Sequence, residues 1–427
     1  MKMRYVAGTI LAVALAFAGS ASGGTTARKA TTVTVWLQVD AQQAWPEAVA
    51  SANKAFEASH PGVNVKVEYQ TWGQHLTKLD AVLAGGDTPD VVEMGNTETT
   101  KYMAAGAFAD LTSKRGSIPN SKTWLQGLKA SCTFGGKLFC VPYYAGARAV
   151  IYRKDLYAKA GIRSTPRSLA QFVRDGKKLM KANRGDSNFS ALYLPGKYWY
   201  AAMSFVYDYG GQIAVKKHGK WKGALDSAKA RKALTQLKSI SRSLSRADRT
   251  GDEAKQDAAF AQGHIASVIA NGWEWGVITD AKAGDPALAP TLGAYPMPSH
   301  VKGKFMPTFL GGSDLAVPAA SKNRQLGLDW IKAFTSTSTM REMTVAGGVI
   351  PNTTTLVSIN QSKPQLAPFA AAAKASWFVP TAPNWVNVES ANVIPNMLVS
   401  IFTGRKSVAA ATTSASKQIS SILNASS

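Results

Sequence analysis

The chain has 427 residues, more than one ordinary hydrophobic core holds, so two domains are the expectation. Hydrophobic residues make up 45% of it, and beyond Ala18 no apolar run approaches the roughly 18 residues of a bilayer span, which excludes an internal membrane helix. Lys and Arg total 49 against 26 Asp and Glu, a formal +23, yet the basic residues are scattered, with no zinc-finger spacing and no aromatic-basic RNP pattern, which excludes a recognisable nucleic-acid module.

In chain order, Lys2 and Arg4 precede an apolar run from Val6 to Ala18 and then the small residues Gly19 to Gly24. This is the pattern of a secretory signal over residues 1–22, followed by a polar linker over 23–30. Loss of the signal takes the formal charge from +23 to +21, because Lys2 and Arg4 leave with it. Thr32 to Trp36 reads as a first strand with Gln38 and Asp40 at its end, and a helix from about Trp45 to Ser59 stops at His60-Pro61-Gly62. Alternating Val63, Val65, Val67 and Tyr69 predict a second strand. Leu76, Leu79, Val82 and Leu83 recur at helical spacing before Gly85-Gly86, and Asp90 to Met94 then enters a buried parallel strand. The order is β-α-β. Open α/β sheets bind ligands beyond the carboxyl ends of their strands, which marks Trp72, Asn96 and Glu98, and with them Trp36, Gln38 and Asp40, as candidate binding residues.

Farther on, Cys132 and Cys140 flank Gly135-Gly136. A turn centred near Gly136 sets the cysteines opposite each other across a hairpin, as it does Phe134 and Leu138. A disulfide is then sterically natural in an exported chain, with two buried thiols as the alternative. Neither cysteine has a His or further Cys near enough in sequence to complete a tetrahedral metal site. The basic residues from Lys216 to Arg249 sit at helical spacing among Leu234, Leu237 and Ile240, the solvated face of an amphipathic helix. An apolar strand from Ile265 to Ala270 leads into Asn271-Gly-Trp273-Glu274-Trp275-Gly276, where alternation turns one tryptophan outward and the other inward. Val408, Ile419, Ile422 and Leu423 mark a final helix, and Trp124, Trp221 and Trp330 read as packing residues.

In residues and in order, the chain resembles the extracellular solute-binding proteins that feed sugar-uptake ABC transporters. The matching residues are Phe56-Glu57, Pro61-Gly62-Val63, Lys78-Leu79, Gly86-Asp87 and Pro89 to Val92. Pro142-Tyr143-Tyr144 leading to Ile151 through Leu156 is similar to the family's first crossover between lobes. Gly311-Gly312-Ser313, with Ala316-Val317-Pro318 and Ser321-Lys322-Asn323, is similar to the second, and Gly348 to Pro351 to the third. The resemblance implies an α/β, two-lobed periplasmic-binding-protein-like fold of type II. One lobe would hold residues 31–143 and 313–350 and the other 148–310 and 351–427, with a hinge near 143–148, 310–313 and 350–352. Asn96-Thr-Glu98-Thr, Thr34-Val-Trp36 and Phe378 to Trp385 are similar to actinobacterial binders of N,N′-diacetylchitobiose and related disaccharides.

The implied function is capture of a di- or trisaccharide, such as N,N′-diacetylchitobiose or cellobiose, in the cleft between lobes, and delivery to a membrane permease of an ABC transporter. A sugar ring offers an apolar C–H face and equatorial hydroxyls, so its site needs aromatic platforms beside polar partners. Trp273, Glu274 and Trp275 have that composition; Trp199 and Trp385 add platforms, and Tyr144 and Arg148 lie at the first crossover. Gly311 and Gly312 bring backbone amides close to a ligand, with Asp314 beside them. The expected protein is a monomer without cofactor, metal or nucleic acid. Many Gram-positive members carry a lipidated Cys after the signal; here Cys132 and Cys140 stand alone, so the expectation is export to the outer face of the cytoplasmic membrane or the periplasm without a lipid-anchor cysteine. The alternatives are a secreted carbohydrate hydrolase, disfavoured because no catalytic motif appears, and a basic cell-surface polyanion-binding protein. The positive charge also leaves room for an anionic solute such as glycerol phosphate.

Overall fold

Strand alternation and helical periodicity are realised almost as read in the first hundred residues. The computed structural model describes residues 30–425, so the expected signal and residues 23–29 of the linker lie outside the described residues. Strands β1 (Thr31–Gln38) and β2 (Val63–Gln70) pair in parallel, Thr31 with Val63 through Gln38 with Gln70, and β3 (Val91–Gly95) lies parallel on the other side of β1. A short helix, Val39–Ala44, follows β1 directly, which puts Asp40 in a helical first turn.

Gly135 and Gly136, at φ 56° and 79°, turn β4 (Thr133–Phe134) into β5 (Lys137–Leu138). The pairs are Thr133 with Leu138 and Phe134 with Lys137, one residue off the expected register. A Cys132–Cys140 disulfide closes the hairpin, with Cα atoms 4.9 Å apart. Cys140 also opens β6 (Cys140–Gly146), which runs through Ala147 into β7 (Arg148–Arg153). The basic stretch begins as a hairpin, β8 (Ala214–Lys217) and β9 (Lys220–Gly223), before the expected helix at Ala228–Leu244. Strands β10 (Ser267–Asn271) and β11 (Leu292–Tyr295) flank β7 in an antiparallel sheet. β12 (Thr308–Phe309) precedes β13 (Gly311–Ala316), which inserts antiparallel between β3 and β6. β14 (Ile350–Pro351) completes a six-stranded sheet in the order β14-β6-β13-β3-β1-β2, and β15 (Ser376–Trp377) pairs with β12.

The α/β architecture has two bodies. One core, with Val33, Leu37, Phe56, Val91, Tyr143, Leu315 and Trp330, packs on the six-stranded sheet. The other body holds a helical core around Phe205, Leu234, Leu237, Trp385 and Leu398, and a smaller one around Ile151, Phe260 and Val268. Leu128, Ala145, Ala147, Leu310 and Ile350 form a separate apolar cluster where the chain crosses between bodies. The third crossing comes later than expected. Leu356 is buried in the first core, and Leu125 N to Asn352 O and Thr354 N to Thr123 O hold the segment there at 2.8 and 2.9 Å. The chain reaches the second body's core at Leu366 and Phe369, so residues 352–360 belong to the first body. Among the described residues no helix is long and apolar enough to cross a membrane.

Candidate functional site

A cleft of about 500 Å³ lies between the two bodies. The carboxyl ends of β1, β3 and β6 open onto one wall, where Asp40, Trp72, Asn96, Glu98 and Tyr144 stand with Gly311, Gly312 and Ser313 at the start of β13. The other wall carries Arg148 at the start of β7, Asn271 and Trp273 at the end of β10, Tyr200, Phe309 and the loop segment Asp252-Glu253-Ala254.

The first wall is tightly organised. Trp72 is 40% exposed, and its indole Nε1 donates to Asp40 Oδ2 at 2.6 Å. Glu98 Oε2 accepts from Gly95 N at 2.9 Å and meets His75 Nε2 at 2.8 Å. The other ring nitrogen of His75, Nδ1, faces the Trp72 carbonyl at 2.8 Å, an acceptor only, so it carries a proton. A second proton on Nε2 then faces the carboxylate. Burial opposes the charged ring, but the Glu98 hydrogen bond and charge outweigh it and raise the His75 pKa above its ordinary 6.5. Burial also raises Asp40, offset in part by the Trp72 hydrogen bond. Gly312, at φ 149°, is forced by close approach: a Cβ there would lie 2.0 Å from the Tyr144 carbonyl oxygen.

The second wall is aromatic around one guanidinium. Arg148 Nε donates to Tyr198 Oη at 2.9 Å, and its guanidinium carbon lies 4.6 Å from the centre of the Tyr200 ring. Tyr200 in turn stacks on Phe309 with centroids 4.7 Å apart. Across the crossover, Trp273 meets Tyr144 edge-on at 6.1 Å and lies so close to Gly146 that a Cβ there would be 2.5 Å from the indole. Glu253 is raised by burial, offset by the charge of Arg148, and among the described residues no other residue hydrogen-bonds or ion-pairs with its carboxylate.

Seven residues expected at the site lie elsewhere. Trp36 alternates onto a face of β1 where Nε1 donates to Glu68 at 3.0 Å, and Gln38 is buried, its backbone N donating to Glu93 Oε2 at 2.7 Å. Trp199 opens the helix Trp199–Asp208 and points inward against Trp377 and Trp385, which leaves its neighbour Tyr200 to face the cleft. Glu274 is buried behind Trp273, pushed up to about 7 by burial, and accepts from Asn271 N and Gln256 Nε2 at 2.7 Å each. Trp275 packs against the core of Ile151 and Val268. Asp314 is fully buried, bound by Thr99 Oγ1 and Ser131 Oγ at 2.9 and 3.1 Å. Trp385 begins a helix with its indole inside, donating to Glu389 at 2.7 Å. Sequence reasoning passed over Tyr200, Phe309, Asp252, Glu253, Ser313 and, as a ligand contact, Asn271. For Tyr200 the signal was present: once the helix starts at Trp199, adjacent positions differ by about 100° around it.

Residues 37–341 match the family model described as bacterial extracellular solute-binding protein. The diacetylchitobiose binding protein DasA of Streptomyces coelicolor is 33% identical over 384 residues, covering 89% of this chain and 87% of that one. The mannitol-binding protein of Pseudomonas aeruginosa is 26% identical over 188 residues, 41% of this chain and 42% of its own. Among solved structures, the GacH receptor of Streptomyces glaucescens superposes with a TM-score of 0.81 at 22% identity, covering 93% of this chain and all of that one. Maltose-bound MalE3 of T. maritima gives 0.77 at 19% identity over 91% of this chain and 99% of its own, so the fold is shared.

Proposed function

Because the chain belongs to the bacterial extracellular solute-binding proteins, we propose that it captures an oligosaccharide in the cleft between its two bodies and presents it to the permease of an ABC importer. The observation that carries this reading is the wall chemistry: flat aromatic faces from both bodies and hydrogen-bonding groups converge on about 500 Å³ at strand ends. The sugar stacks on Trp273 and Tyr200, while Asp40, Asn96, Glu98 and Arg148 take hydroxyls. A di- or trisaccharide of the kind named for DasA fits this chemistry. The lobes are residues 31–143 with 313–360 and 148–310 with 366–425, closing about the cluster of Ala147, Leu310 and Ile350. The protein is exported, acts as a monomer and does not turn its ligand over.

Thermal unfolding of the chain without residues 1–22, against millimolar di- and oligosaccharides and glycerol phosphate, tests the proposal. A ligand at 100 times its dissociation constant stabilises by about 2.7 kcal/mol, so one saccharide class raises the midpoint. A panel without any shift, from a protein that binds anionic polymers in a salt-sensitive way, would favour the polyanion-binding reading instead.

A further inference from the structure

The cleft inverts the charge of the molecule. Among the described residues, four acidic side chains, Asp40, Glu98, Asp252 and Glu253, line it against one basic side chain, Arg148, in a chain of 26 acidic and 49 basic residues. Counting a protonated His75 behind Glu98 still leaves carboxylates in excess. Arg148 spends Nε on Tyr198 and lies among Tyr200 and Phe309; its charge bears on Glu253, but among the described residues it forms no ion pair with any of the four acids, so one guanidinium stands against four carboxyl groups. The hydrogen-bonding balance points the same way. Asn271 is 6% exposed, and its Oδ1 is a buried acceptor without a partner among the described residues; the Glu253 carboxylate, half-buried at the cleft, has no hydrogen bond or ion pair to another of the described residues. A wall rich in unfilled acceptors suits a ligand rich in donors, and an ammonium supplies three donors and no acceptor.

We infer that the preferred ligand is an aminosugar oligosaccharide bearing at least one free, protonated amine, held by Glu253 with Asp40 or Glu98. The inference rests on the saccharide-binding reading above and narrows it. An anionic solute such as glycerol phosphate is disfavoured, since the wall offers it a single guanidinium. A neutral N-acetylated or hydroxyl-bearing sugar fills the same space without a counter-charge.

Calorimetric titration at pH 6 with three β-1,4 disaccharides decides it: cellobiose with hydroxyls, N,N′-diacetylchitobiose with neutral amides, and chitobiose with free amines. The inference expects chitobiose to bind at least about tenfold more tightly than either neutral sugar, and Glu253→Gln to shrink that ratio. Neutral sugars binding as tightly as chitobiose, or a ratio unmoved by both Glu253→Gln and Asp40→Asn, would overturn the inference and leave the saccharide reading standing. Failure of all three and of the wider panel, from a folded protein, would sink the saccharide reading itself.

Discussion

At the residue scale the site depends on a few side chains whose surroundings fix what they do. His75 donates from Nδ1 to the Trp72 carbonyl and sits 2.8 Å from the Glu98 carboxylate, so its folded form holds a proton that an unconstrained ring releases near 6.5. Its imidazole resonances, followed by NMR, will titrate with a midpoint above 6.5; a midpoint at or below that value would mean the Glu98 contact is not formed in solution. Trp273 lines the cleft against Gly146 at the crossover, and if it is the stacking platform proposed above, Trp273→Ala should weaken saccharide binding by about tenfold, close to 1.4 kcal/mol. Titration calorimetry reads this directly. Tryptophan placement was only partly legible in the sequence. Alternation set Trp273 and Trp275 on opposite sides without saying which faces the cleft, and Trp36, Trp199 and Trp385 stood out by residue type, whereas helix phase and strand face decide their direction. Asp252 and Glu253 follow no strand, so the rule of ligands at strand ends could not reach them.

At the scale of elements, the connections carry the geometry. Gly312 must approach the Tyr144 carbonyl within a distance no Cβ tolerates, so Gly312→Ala should cost about 2–3 kcal/mol in denaturant unfolding, or pull β13 away from β6. An alanine variant with unchanged stability would show that the two strands have slack there. The disulfide closes a loop with a sequence separation of 8, for which the chain-entropy model gives about 2–3 kcal/mol. Cys132→Ser with Cys140→Ser should lower unfolding stability by that amount, and reduction of the native chain should do the same. The first three strands and their helices were legible because each is local and strongly periodic. The insertion of β13 between β3 and β6 joins residues more than 160 positions apart, and no local pattern encodes it; only the family resemblance pointed there. The segment 352–360 was misassigned because its bonds to Thr123 and Leu125 are equally remote in sequence.

At the scale of the molecule, net charge and local charge part company. The formal +23 suggested anionic partners, yet the cleft is lined by four carboxylates and one guanidinium, because composition reports a sum and binding reads an arrangement. Buried acids also set the pH response. Burial pushes Glu93 and Glu389 up to about 8 and Glu274 and Asp314 up to about 7, from ordinary values of 4.5 and 3.8. The folded state therefore retains protons that the unfolded chain has released. That stabilisation is full below about pH 4 and is lost as pH rises through 7 to 8, with His75 adding to the trend. The melting midpoint should accordingly be higher at pH 5.5 than at pH 9, roughly a pH unit or more to either side of these titrations; a midpoint that rises over this range would show that these carboxyls are not buried in solution. The central claim, that one saccharide is held between the two bodies and released unaltered, is tested most directly by native mass spectrometry of the chain incubated with the disaccharide panel. Capture without turnover predicts a mass increase of a single intact disaccharide per chain and recovery of that sugar unchanged. No retained saccharide, or release of sugars cleaved at the glycosidic bond, would contradict it.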